Sequence, residues 1–138
     1  MQNKTIVVLA IVSVLIGGTI LPAYSTVTVL IEVRPVITEN SNGVIPMLLV
    51  GSETFDVTDV DVSTLKFGSA GADGAAPTHN GHLVNVNGDG FKDLLTHYKV
   101  RDTGIASGDT EVCLTGVLLD GTPFEGCDTI RTVGKQKS

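Results

Sequence analysis

The stretch TEVCLTGVLLDGTPFEGCDTIRTV, residues 110–133, holds two runs of strand-forming residues that meet at Asp120-Gly121. Asp-Gly flanked by such runs is a strong hairpin signal, because glycine accepts the positive φ that a tight turn requires. Folding the segment about residue 120 sets Cys113 opposite Cys127 across an antiparallel ladder. These are the only two cysteines of the chain, and in an exported protein a single pair is expected to form one disulfide. A closed loop of about 15 residues stabilises by about 3 kcal/mol when the effect is assigned to the lost freedom of the unfolded chain.

Working outward from this hairpin, the chain reads as strands between turns, with no apolar residues at helical spacing. Val27, Val29, Ile31 and Val33 alternate with Thr28, Leu30, Glu32 and Arg34, a strand with one apolar face. Val44 to Val50 is almost continuously apolar and contains Pro46, which places it near an edge or a bulge. Phe55 to Val62 alternates, Thr64 to Phe67 adds a short strand, and Gly68 to Pro77 is a loop of small residues. His82 to Val86 and Asp93 to Val100 flank Asn87-Gly88-Asp89-Gly90. Seven to eight short strands at this spacing predict an all-β, immunoglobulin-like β-sandwich. Its boundaries are residues 35–133, with 26–34 as a separable N-terminal strand and 134–138 as a polar tail.

The N-terminus sets the compartment. Lys4 precedes an uncharged apolar run from Thr5 to Leu21, closed by Pro22 and the small-residue pattern Ala23-Tyr24-Ser25. That order matches a cleavable secretory signal over residues 1–25; the alternative is a retained membrane anchor, since the run approaches the lower limit of about 17 residues for a spanning helix. Residues 26 to 138, 113 in number, are enough for one core. With Lys4 removed, eight Lys and Arg stand against fifteen Asp and Glu, so 8 − 15 = −7. Nucleic acid is therefore not expected as a partner, nor is an anionic membrane surface once the signal is cleaved.

Residues 85–93, NVNGDGFKD, place oxygen-bearing side chains at the first, third, fifth and ninth positions of a calcium-type loop, with glycine at the sixth. Asn85, Asn87, Asp89 and Asp93, with the carbonyl of Phe91, form the expected Ca2+ ligand set, since a hard cation needs several oxygens and the glycine permits the sharp turn. Thr96 stands where a bidentate glutamate is usual, so the affinity expected is weak, of order 10⁻⁴ to 10⁻³ M. Asn-Gly and Asp-Gly also make tight turns without any metal.

Beyond single motifs, Gly43-Val44-Ile45-Pro46, Phe55-Asp56-Val57-Thr58 with Val60-Asp61, Gly81-His82 leading into Val86-Asn87-Gly88-Asp89-Gly90, and Gly108-Asp109-Thr110-Glu111 together resemble a widespread bacterial extracellular β-domain without an assigned activity. The likeness covers nearly the whole of residues 26–133. The loop of that domain usually opens with aspartate where this chain has Asn85. The loop is also similar to that of dockerins, which carry two such loops on helices, so the dockerin fold is not implied.

His79-x-x-His82 with the distant His97 has the spacing of a zinc site. Bonded cysteines supply no thiolate and no glutamate adjoins either close histidine, so ordinary loop histidines are the favoured reading. No G-x-S-x-G elbow, H-E-x-x-H helix or dinucleotide-binding glycine pattern occurs, and no enzyme is expected. The expectation is a secreted, calcium-stabilised structural protein, the subunit of an extracellular filament or matrix. Its apolar face of Val27, Val29, Ile31 and Val33 would insert into a neighbouring copy, head to tail. The same strand also reads as the first of its own sandwich, and the alternative function is a monomeric module binding a cell surface or a polysaccharide. Aromatics, on which sugar platforms rely, are scarce, with four Phe, two Tyr and no Trp.

Overall fold

Strand patterning from Val27 onward produces ten strands in a computed structural model that describes residues 25–33, 36–38, 41–69 and 73–133. Apart from Ser25, the expected export signal lies outside the described residues. So do Pro35, residues 70–72 of the small-residue loop and the expected tail. In chain order the strands are β1 (Val27–Thr28), β2 (Leu30–Val33), β3 (Val36–Thr38), β4 (Val44–Val50), β5 (Val60–Ser69), β6 (His82–Val84), β7 (Asp93–Lys99), β8 (Glu111–Leu118), β9 (Pro123–Thr129) and β10 (Arg131–Val133).

One sheet has the order β1-β9-β8-β5, a second β2-β4-β7-β6, and β3 pairs with β10 in a two-stranded ladder. The fold is an all-β sandwich. Its core draws Leu65, Phe67, Val112, Leu114 and Phe124 from the first sheet and Ile31, Met47, Leu49 and Tyr98 from the second, all essentially fully buried. Each such side chain contributes about 1.5–3 kcal/mol relative to exposure. Phe67 and Tyr98 meet across the sandwich with ring centroids 4.9 Å apart. Burial pushes the Tyr98 phenol up to about 12, opposed by the hydrogen bond it accepts from Thr96.

The hairpin forms as its turn chemistry requires. Gly121 has φ 94°, Leu118 N–H donates to the Thr122 carbonyl, and Asp120 accepts from Thr122 N–H at 2.9 Å. Cys113 and Cys127 are directly paired in the β8–β9 register and joined by a disulfide with Cα atoms 4.0 Å apart.

Beyond the N-terminal run, the strands depart from expectation at three places. The strand expected from Phe55 is instead a bridge between Ser52 and Phe55 followed by a 3₁₀ turn, Val57–Asp59. Asp56 caps that turn by accepting from both the N–H and the hydroxyl of Thr58. A capping aspartate beside the turn competes with strand pairing, although the apolar alternation is the same. Secondly, residues 64–67 do not start a new strand. They continue β5 across an irregularity between Asp61 and Lys66, where the Thr64 hydroxyl accepts from Val117 N–H and donates to the Asp61 carbonyl. Lastly, β4 is an inner strand between β2 and β7, and Pro46 stands in it opposite His97 of β7, one residue beyond the last pair described with β2, Val33 and Met47.

The N-terminal run departs furthest from a simple strand. β1 pairs in parallel with β9, β2 crosses to pair antiparallel with β4, and β3 returns to pair in parallel with β10. At the crossing, Val29 N–H donates to the Glu125 carbonyl at 2.9 Å, and further on Val33 N–H donates to Asp128 Oδ2 at 3.0 Å. The run thus lies against both sheets. Gly126 permits this approach, since a Cβ there would stand 2.5 Å from the Val29 carbonyl oxygen. Gly126→Ala is expected to destabilise the fold by about 1–3 kcal/mol through backbone displacement, read as a lowered urea midpoint. The same change at Gly108, where a Cβ meets nothing within 4 Å, costs only the strain of its positive φ.

Candidate functional site

The oxygen-rich loop leaves β6 at Val84 and re-enters the sheet at Asp93, so it caps one end of the second sheet. Asn85 Oδ1 accepts from Gly88 N–H at 3.1 Å, Asn87 Oδ1 from Asp89 N–H at 3.2 Å, and Asp89 Oδ1 from Phe91 N–H at 2.8 Å. Successive side-chain turns of this kind bend the backbone locally. Gly88 and Gly90 supply the positive φ values, 70° and 90°.

Asp93 is set apart from the other loop residues. It is completely buried, with Oδ1 accepting from Gly51 N–H at 2.9 Å and Oδ2 from Val86 N–H at 3.2 Å. It thereby ties the loop to the end of β4. A carboxylate kept from water requires such partners. Gly51 is fitted to this place, because a Cβ on it would fall 1.9 Å from the Lys92 carbonyl oxygen. Neither Gly51 nor its amide was legible as part of the site, since the bond spans 42 residues and leaves no local signature.

The donor chemistry is compatible with a hard cation. Every named side chain offers oxygen, and an oxygen that accepts one N–H keeps another lone pair. Asp89 is exposed with the loop amides, whereas Asp93 acts from beneath as anchor. The Phe91 ring is 40% exposed and borders an open cleft of about 430 Å³ with Glu53, Asp56 and Lys92. The hydrogen bonds from Thr58 hold Asp56 below the usual carboxylate range, aided by the Lys92 charge.

The expected partner face divides. Val29 and Ile31 are buried in the core and Val33 packs partly against it, whereas Val27, at the outer end of β1, is 36% exposed. All four belong to a segment paired within its own chain.

The three histidines come together at the β6–β7 side of the second sheet. His79 Nε2 and His97 Nδ1 are 3.1 Å apart, Gly81 N–H donates to His79 Nδ1 at 3.0 Å, and the His79 ring lies 5.0 Å from those of both His82 and His97. Since Nδ1 of His79 accepts, its proton sits on Nε2 and is given to His97. Burial first, then the neighbouring His79 and His82, holds His97 below the ordinary imidazole range.

The chain matches no protein-family model, no curated protein and no solved structure. Among the described residues no helix is long and apolar enough to cross a membrane.

Asp93→Ala strands two backbone N–H groups and is expected to cost about 2–5 kcal/mol, whereas Asp89→Ala, at an exposed turn, costs under about 1 kcal/mol; urea denaturation separates them. For His97 the folded-state value is depressed, so its stabilisation is present above the unfolded value near 6.5 and is lost as pH falls through that value towards the folded one. The urea midpoint should therefore fall on acidification from pH 7 to 5, and less steeply in His97→Gln.

Proposed function

We propose that this chain is an exported structural module whose copies assemble head to tail by exchanging the N-terminal run, residues 26–34, with the calcium loop stabilising the end of the sandwich where β4 finishes and β7 begins. One observation carries the reading: the same short segment completes both sheets, against β9 and then β4. Without it, two seven-residue strands would expose unpaired N–H and C=O groups over a cavity left by Val29 and Ile31. A slot of that kind is filled equally well by an identical segment from a neighbour, because exchange preserves every contact. Within a single chain the run occupies its own slot, so assembly requires release and re-insertion. Export is supported by the signal-like N-terminus and by the disulfide, which persists in oxidising compartments.

The alternative, a monomeric polysaccharide-binding module, draws support from the cleft beside Phe91, where an exposed ring neighbours Glu53, Asp56 and Lys92. A single aromatic makes a small platform for a sugar.

Electron microscopy of the concentrated protein is expected to show fibres, and deletion of residues 26–34 to leave incomplete subunits that take up a synthetic peptide of the same sequence. Monomers from the intact chain, with or without glycan binding, would end the assembly reading. Calcium is tested separately by melting. At ten times a dissociation constant of about 1 mM, native-state binding stabilises by about 1.4 kcal/mol, so the midpoint should rise in Ca2+ and the rise should vanish in Asp89→Asn.

A further inference from the structure

Three histidines, His79 and His82 before and on β6 and His97 on β7, converge on the outer face of the second sheet, with β4 between them and β2 of the N-terminal run. His97 lies on β7 directly opposite Pro46 of β4, and His82 on β6 directly opposite Leu95 of β7. Residues paired across a ladder share a face, and Leu95 and His97, two apart on β7, share it as well. His79 is delivered from the connection before β6. Thr78 N–H donates to the His97 carbonyl at 2.9 Å, and Gly81, at φ 85°, turns the chain where a Cβ would press on Thr96 and Leu95. Backbone pairing therefore holds the positions of all three imidazoles.

We propose that His79 and His97, with His82 as the third ligand, bind a divalent metal ion of the imidazole-seeking class, with Zn2+ as its representative. Two nitrogens of a tetrahedral zinc site at 2.0–2.1 Å from the metal are about 3.3–3.4 Å from each other. His79 Nε2 and His97 Nδ1 stand 3.1 Å apart, close to that spacing, and an ion bound to both lies to one side of the line that joins them, so the two rings tilt to direct their lone pairs at it. His82 is exposed and its ring already lies beside that of His79, so rotation of its side chain supplies a third nitrogen. Water completes the shell. Half-buried Pro46 and Leu95 lie beside the rings, which lowers the local dielectric and suits a neutral ligand set. As they stand the nitrogens of the three histidines do not all lie within 4.8 Å of one another, so closure of the site depends on that rotation of His82. Among the described residues only Glu111, Cys113 and Cys127 are so close, and they offer no thiolate because the sulfurs are bonded to each other.

Coordination has one definite consequence for hydrogen bonding. The His79 proton leaves Nε2 and is carried on Nδ1, with solvent relaying it, so no net proton is lost. Nδ1 then ceases to accept from Gly81 N–H, and that amide passes to water. Neither strand exchange nor the calcium loop takes part, so different ions and residues test this site.

The experiment is titration of the purified full chain with ZnCl2 at pH 7.5 in the presence of excess CaCl2, followed by calorimetry and by nitrogen-15 spectra of the imidazoles and amides. One equivalent is expected to bind saturably, to shift the ring nitrogens of His79 and His97, and to move the Gly81 amide. His79→Ala should abolish binding, and His82→Ala should weaken it at least several-fold. His97→Gln, which keeps a polar acceptor, should abolish it while leaving the fold intact by circular dichroism. Absence of saturable binding, binding that survives His79→Ala, or an unmoved Gly81 amide at saturation would each overturn the site.

Discussion

A sheet ends in a row of N–H and C=O groups without partners, and a sandwich must deal with such a row at each side of each sheet. In this protein one run of chain, Val27 to Thr38, satisfies two of them by passing from β9 to β4 and back to β10. It also fills the space between the sheets with Val29, Ile31 and Ile37. The remaining edges are handled differently. β6 is three residues long, and the irregularity in β5 between Asp61 and Lys66 interrupts its ladder. Assembly by exchange is conceivable only because both sheets depend on that single segment.

The second organising contact is the buried carboxylate of Asp93. Its two oxygens join the end of β4 to the start of the oxygen-rich loop, so the loop is positioned by the core even though its own residues are exposed. A loop whose bend is already formed needs little reordering, so the proposed cation binding would draw on pre-organisation instead of strong ligand charge. The imidazole cluster uses the same device: ladder pairing of β4, β6 and β7 sets the spacing, and short polar contacts refine it.

Much of the fold is legible in single residues. Asp120-Gly121 with cysteines equidistant from residue 120 implies a hairpin and its cross-strand disulfide, because the turn determines the register and the register determines which side chains face each other. Period-two alternation marks most of the strands, and the Asn-Gly-Asp-Gly sequence marks the loop. The 3₁₀ turn at Val57–Asp59 is not legible in the same way, since Phe55, Val57 and Val60 satisfy either conformation and the Asp56 cap decides between them. Thr64 looks like a strand start because the irregularity in β5 breaks the alternation without ending the strand.

Sequence by itself determined the local chemistry of this chain: where it turns, which faces are apolar, and which oxygen, sulfur and imidazole groups it carries. Those properties depend on a residue and a few neighbours. Tertiary structure alone decided which sheet each part of the first strand joins, that Asp93 bonds Gly51, and that His79 meets His97. Such pairings join residues far apart in the chain, and they are selected by the mutual fit of surfaces that exist only once the sandwich has closed.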